Sequence, residues 1–171
     1  MIARLVVVLL SAVSALPAQA QDAPLPKEVQ AQKAQTLPPD LPKIVQEAMQ
    51  NNLKECEAGE KALYKPGFLT IRDIIADGKP DYILNYDHFQ CGERVSVFCG
   101  TGGCQTEIFA SDEEKGYVPV WNRLARKVTF LTLSKRPAVR IDIHGTLCGR
   151  TGGERCTLTL YWNGSEFNPA N

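Results

Sequence analysis

Residues 138–162 read AVRIDIHGTLCGRTGGERCTLTLYW, and the fold turns on this stretch. Apolar and polar side chains alternate on both sides of a glycine-rich loop. Val139, Ile141 and Ile143 fall on one face of the first run, and Arg140, Asp142 and His144 on the other. After the loop, Leu158, Leu160 and Trp162 continue the apolar set, while Thr157, Thr159 and Tyr161 continue the polar one. Period two on both sides of a short connection predicts paired antiparallel strands with one face buried. An earlier stretch repeats the plan: DYILNYD at 81–87, the Cys/Gly-rich FCGTGGC at 98–104, then QTEIF at 105–109. The unit of strand, Cys/Gly loop and strand therefore occurs twice. Two units are too few to close a propeller, which takes typically 4–8 blades. They are expected to lie side by side in one sheet or to face each other.

Further alternating runs predict strands near 67–72, 81–86, 104–110, 117–120, 127–133, 137–144 and 156–162, separated by glycine, proline and asparagine turns. Ahead of Gly59 the period changes. Leu41, Ile44, Val45, Ala48, Met49 and Leu53 recur at helical spacing, with Asp40 as a candidate N-cap, Pro42 in the first turn and Cys56 extending the stripe. The stripe reads as a core-packing helix; the Gln- and Asn-rich opposite face also fits a helix that binds a partner. The expected fold class is α+β: a mainly antiparallel β-sheet with one N-terminal helix, braced by disulfides, as a single domain over residues 40–171.

Residues 1–20, MIARLVVVLLSAVSALPAQA, combine a lone Arg4, a short apolar run and a small-residue Ala18-Gln19-Ala20 end, which predicts a cleaved signal peptide. Residues 21–39 are rich in Pro and Gln and predict a flexible leader. No later stretch is apolar enough to span a membrane. The full chain has 171 residues, 19 basic and 19 acidic side chains and a pI near 6.7, so one domain is expected and nothing draws it toward nucleic acid.

Export sets the reading of Cys56, Cys91, Cys99, Cys104, Cys148 and Cys156. An even set in an oxidising compartment predicts three disulfides. A zinc site is disfavoured, because no CxxC occurs and the chain has only His88 and His144. The repeated unit favours a local bridge in each copy, Cys99–Cys104 and Cys148–Cys156, with Cys56–Cys91 tying the helix to a sheet. The equal Cys-Gly-x6-Cys spacing supports a rival set: Cys91–Cys99, Cys148–Cys156 and Cys56–Cys104.

Two constellations could carry chemistry. Asp73, Asp77 and Asp81 surround the Asp77-Gly78 turn and resemble the calcium loop of FG-GAP and VCBS-type repeats, D-x-N-x-D-G-x-x-D. Ile75 stands where that loop has an oxygen ligand, so a degenerate turn without calcium is expected, and no other cofactor is indicated. The polar row Arg140, Asp142, His144 and Tyr161, with Asn85 and Asp87 in the matching strand of the first unit, could bind a polar ligand. The sequence contains no GxSxG, HExxH, P-loop or GxGxxG motif, and no catalytic residue is assigned. Over roughly residues 56–171 the cysteine loops and the Asp-rich turn also resemble a group of small exported alphaproteobacterial proteins with no assigned activity. The expected function is a periplasmic or secreted, non-enzymatic binding module for a protein or cell-envelope component. The alternatives are a small envelope hydrolase using Asp142 and His144, or a calcium-dependent module using the three aspartates.

Overall fold

The structure, a computed structural model, describes residues 34–93 and 97–169; the predicted signal peptide and the leader as far as residue 33 lie outside them. The element order is α1 (Lys43–Leu53), β1 (Ala62–Tyr64), β2 (Leu69–Arg72), β3 (Asp81–Asn85), β4 (Phe89–Cys91), β5 (Cys99–Gly100), β6 (Gly103–Asp112), β7 (Gly116–Ala125), β8 (Lys127–Leu133), β9 (Arg136–His144), β10 (Arg155–Trp162) and β11 (Phe167–Pro169). Every strand pair is antiparallel. A central sheet runs β2-β3-β6-β5 with β7 also on β6; a second runs β11-β10-β9-β8; β1 and β4 form a small ribbon. This is the α+β architecture that the alternation and the single helical stripe predict.

Side-chain period places the layers. On the central sheet, Tyr82, Leu84 and Phe109 face Val45 and Met49 of α1, together with Phe68, Tyr86 and Phe89. The other face of the same sheet presents Ile83, Ile108 and Ala110 to Val139, Ile141, Ile143 and Leu160 of the second sheet. The two repeated units therefore lie in different sheets and face each other across a shared core. β3 is covered on both sides, whereas β9 buries Val139, Ile141 and Ile143 and leaves Arg140 exposed. The chain passes from one sheet to the other at Arg126, the one residue between β7 and β8, whose N–H donates to the Asp142 carbonyl at 2.7 Å. Such corners are how strands change sheets in packed β structures.

The cysteines pair as Cys56–Cys91, Cys99–Cys104 and Cys148–Cys156, with Cα separations of 5.4, 4.0 and 6.2 Å. The local-bridge set is thus the one formed, and the first bridge ties the end of the α1 segment to the β1–β4 ribbon. Among the described residues no helix is long and apolar enough to cross a membrane.

Several local expectations are corrected. Helix α1 starts at Lys43 with Pro42 as its N-cap, not Asp40, because Pro42 is extended and its carbonyl accepts the first bonds, from Val45 and Gln46. The leader expected to be flexible to residue 39 is fastened from Gln35 on. The Gln35 side-chain amide donates to the Leu69 carbonyl at 2.9 Å and accepts from the Leu69 N–H at 3.1 Å. β7, expected over 117–120, runs on to Ala125. Its register against β6 shifts between Ile108 and Phe109, so Val120 is an extra residue that resets the alternation. Pro119 is tolerated there because β7 pairs only with β6 and needs no donor on its other side. β1, β4 and β11 escaped notice because three residues are too few to show a period.

Candidate functional site: the cleft between the sheets

The apolar fill between the sheets stops at a definite place. The cross-strand pair Ile83–Ile108 is core, and the next pair on that face is Asn85–Thr106. Beyond it, beside the Cys99–Cys104 bridge, the sheets enclose a cleft of about 390 Å³. Ile83, Asn85 and Thr106 line it from the central sheet, and Val128 and Phe130 from β8. Thr70, Asp87, Thr101 and Arg126 complete its polar lining; Lys127 also borders it but pairs with Asp142 on the outer face of the second sheet.

Two of the polar groups have defined local geometry. Asn85 Oδ1 accepts from the Asp87 N–H at 3.1 Å, which opens a 3-10 turn, and the Asp87 carboxylate lies next to the bridge, 3.4 Å from Cys104 Sγ. Arg126 donates from Nε and Nη2 to the Thr101 carbonyl, at 3.2 and 2.9 Å, and from Nη2 to the Gly152 carbonyl at 3.1 Å. It thereby clips the two Cys/Gly loops together. Gly103, with φ of 104°, lets β6 begin against this corner, since a Cβ there would lie 2.2 Å from the Ala125 carbonyl oxygen. Gly152 has the same kind of constraint from a side chain: a Cβ would lie 2.4 Å from the His144 ring.

The six residues singled out for ligand binding do not form one site. Asn85 and Asp87 line the cleft. Arg140, Asp142, His144 and Tyr161 lie on the opposite, outer face of the second sheet, away from its core-facing Val139, Ile141 and Ile143. The outer row is also dispersed. Tyr161 pairs with Ala138, six residues along β9 from His144, a span of about 20 Å at the rise of an antiparallel strand. Tyr161 carries the Arg136 guanidinium 5.5 Å above its ring. Asp142 accepts from Thr157 Oγ1 at 2.6 Å, and His144 Nδ1 is hydrogen-bonded to Thr146 Oγ1 at 2.7 Å. Each partner needed for an Asp–His pair is engaged with a threonine instead.

The three aspartates of the turn are likewise engaged by their own loop. Asp73 accepts backbone N–H bonds from Ala76, Asp77 and Gly78. Asp77 accepts from the Lys79 N–H and the Ser111 hydroxyl. Asp81 is fully buried and accepts from the Ile74, Ile75 and Ser111 N–H groups. Burial pushes the Asp81 carboxyl up while those three donors pull against it. Burial would raise Asp77 too, but the Ser111 and Lys79 hydrogen bonds and the Lys79 charge outweigh it, and the group is held below the usual carboxylate range. Among the described residues, the acid, thiol and imidazole donors that converge in a group of three are Asp87, Cys99 and Cys104, and both sulfurs are in a disulfide.

Sequence reasoning missed Arg126, Thr70 and Thr106 in the cleft. The signal for Arg126 was its place between two alternating runs, where the period breaks. Glu107 was missed as well. It is buried beneath α1, accepts from Asn52 Nδ2 at 3.2 Å on Oε1, and among the described residues has no hydrogen-bond partner on Oε2. Burial pushes its carboxyl up, against smaller opposing pulls from the Asn52 and Gln105 amides. No protein-family model, curated protein or solved structure matches the chain.

Proposed function

We propose that the chain is an exported, non-enzymatic binding module that holds a protein or cell-envelope ligand in the cleft between its two larger sheets. The observation that carries this reading is the cleft itself: at about 390 Å³ it falls in the size range of small-ligand sites. It combines an apolar wall with polar groups, among them an Arg126 guanidinium held by backbone carbonyls. The three disulfides and the signal-like sequence of residues 1–20 support an oxidising, extracytoplasmic setting. The ligand enters from the cleft rather than from the outer row, whose Asp142 and His144 are taken up by threonines.

The test uses the oxidised chain from residue 21 as bait on an envelope fraction. Thr70 lies across from Ile83 on an edge strand and lines the cleft. Thr70→Trp should fill the space and abolish capture without unfolding the domain. The Arg140→Ala/His144→Ala double variant should capture as the parent does. Undiminished capture by a folded Thr70→Trp variant would move the binding surface out of the cleft.

A further inference from the structure

We propose that the cleft takes an extended segment of a protein partner, which adds to the second sheet as a new strand along the free edge of β8. This rests on the reading of the cleft as the binding site and names the kind of partner. Residues of β2, β3, β6 and β8 line the cleft, but none of β9, β10 or β11 does. The cleft therefore lies where the second sheet stops and the central sheet continues. β8 pairs only with β9, and among the described residues no other group hydrogen-bonds to its backbone.

Hairpin geometry shows which of its backbone groups are free. Ser134 and Lys135, with φ of 51° and 64°, make a two-residue turn between β8 and β9. Such turns close on a hydrogen-bonded pair, here Leu133 and Arg136. Pro137, opposite Thr132, has no N–H to give, which the next, non-bonded pair tolerates. Bonded pairs alternate along an antiparallel ladder. Leu133, Leu131 and Thr129 thus turn their N–H and C=O groups to β9, while Thr132, Phe130 and Val128 turn theirs to the free edge. Val128 and Phe130 are also the β8 residues that form the apolar wall of the cleft.

The other edges of the two larger sheets are blunted against strand pairing. The Gln35 amide bonds both the N–H and the C=O of Leu69 on β2. β7 carries Pro119 and a bulge, β5 has two residues, and β11 has three and ends in Pro169. β8 has none of these devices. Its sequence KVTFLTL is seven β-branched, aromatic and aliphatic residues with one charge, Lys127. An unguarded edge beside a cleft suits an extended backbone, which satisfies the free N–H and C=O groups by strand addition. Small apolar side chains on alternate residues would meet Ile83, Val128 and Phe130, and an acidic one on the outward side would meet Lys127. A cleft of about 390 Å³ takes a few residues of one extended chain, not the folded sheets of a second copy.

The oxidised chain from residue 21 would be titrated with the blocked pentapeptide acetyl-Thr-Val-Glu-Val-Thr-amide and with two N-methylated forms. One form is methylated at both valines, the other at the glutamate and the final threonine. The parent peptide should bind saturably. One methylated form should bind about ten-fold more weakly or worse, through lost main-chain hydrogen bonds, while the other binds as the parent does. Loss at the valines marks antiparallel addition, and loss at the other positions parallel addition. Bound peptide should slow amide exchange at Val128, Phe130 and Thr132 and leave Thr129 and Leu131, already bonded to β9, unchanged. Equal affinity of all three peptides, or no saturable binding at millimolar peptide, would overturn the proposal. So would a dimer in sedimentation with those three amides already protected. Envelope capture that still depended on Thr70 would then leave the cleft as the site of another ligand. Capture that ignored Thr70→Trp would remove the cleft reading itself.

Discussion

The two strand–loop–strand units share a sequence plan and differ in what covers them. In the first, β3 and β6 carry Tyr82, Leu84 and Phe109 on one face and Ile83 and Ile108 on the other, and both faces are buried. In the second, β9 and β10 bury Val139, Ile141 and Leu160 but turn Arg140, Asp142, Thr157 and Thr159 outward. Alternation alone shows that one face is inside. The chemistry of the alternate positions shows whether the other face is inside too: aromatic and aliphatic groups in the first unit, charges and hydroxyls in the second. The cleft sits where the first unit's inner face turns from Ile83 to Asn85, while the second sheet still presents apolar β8 residues.

The largest expected effects follow from that contrast. Leu84 and Ile141 are each fully buried, one on the helix side of the first unit and one inside the second. Leu84→Ala and Ile141→Ala should each cost roughly 2–5 kcal/mol in urea unfolding. Arg140→Ala, on the outer face beside Ile141, should stay within about 0.5 kcal/mol. A cost for Arg140→Ala comparable with that for Leu84→Ala would show that the second unit is covered on both faces as well.

Buried carboxylates sharpen the comparison within the first unit. Asp81 has both oxygens satisfied by backbone donors, whereas Glu107 accepts on Oε1 from the Asn52 amide and, among the described residues, has no hydrogen-bond partner on Oε2. Asp81→Asn sets an NH2 group against N–H donors and should destabilise by about 1.5–3 kcal/mol, the worth of hydrogen bonds to a charged group. Glu107→Gln should do the opposite at neutral pH. Because burial holds the Glu107 carboxyl above its unfolded value, its ionised form costs stability. That cost is absent below the unfolded pKa and grows as pH rises through the folded one. The Gln variant should therefore melt higher than the parent at pH 7, with the difference closing toward pH 3. A gap that widened on acidification would mean that ionised Glu107 is stabilised by its surroundings.

The smallest expected effect is at the Asp-rich turn. Its carboxylates already accept N–H bonds from their own loop, so millimolar calcium or a chelator should leave the melting temperature unchanged. A saturable rise with calcium would restore the calcium-dependent reading by linkage.

Much of this was legible in the sequence. The strand positions around 81–86, 104–110, 137–144 and 156–162, the helical stripe and the local bridges all follow from short-range periodicity and from the repeat. The site was legible only in part. Asn85 and Asp87 stood out as the polar positions of the strand that matches 138–144, and the structure places both at the cleft. Arg126 reaches it because the chain bends between sheets at that point, an event whose trace in the sequence is only the break in period between two alternating runs. The equivalence drawn between the Asn85 side of the first unit and the Arg140 side of the second failed for a related reason. The first unit buries its Tyr82 and Leu84 side under α1 and turns Ile83 and Asn85 toward the second sheet, whereas the second unit turns Val139 and Ile141 toward the first, so Asn85 points inward and Arg140 outward.

The central claim, that the first unit's cleft and not the second unit's polar row is the binding surface, is tested most directly by amide chemical-shift mapping. The oxidised, isotope-labelled chain would be titrated with soluble envelope extract. The account predicts saturable shifts at Thr70, Asn85, Asp87, Thr101 and Arg126, with Arg140, Asp142 and Tyr161 unmoved. Shifts confined to Arg140, Asp142 and Tyr161 would contradict it.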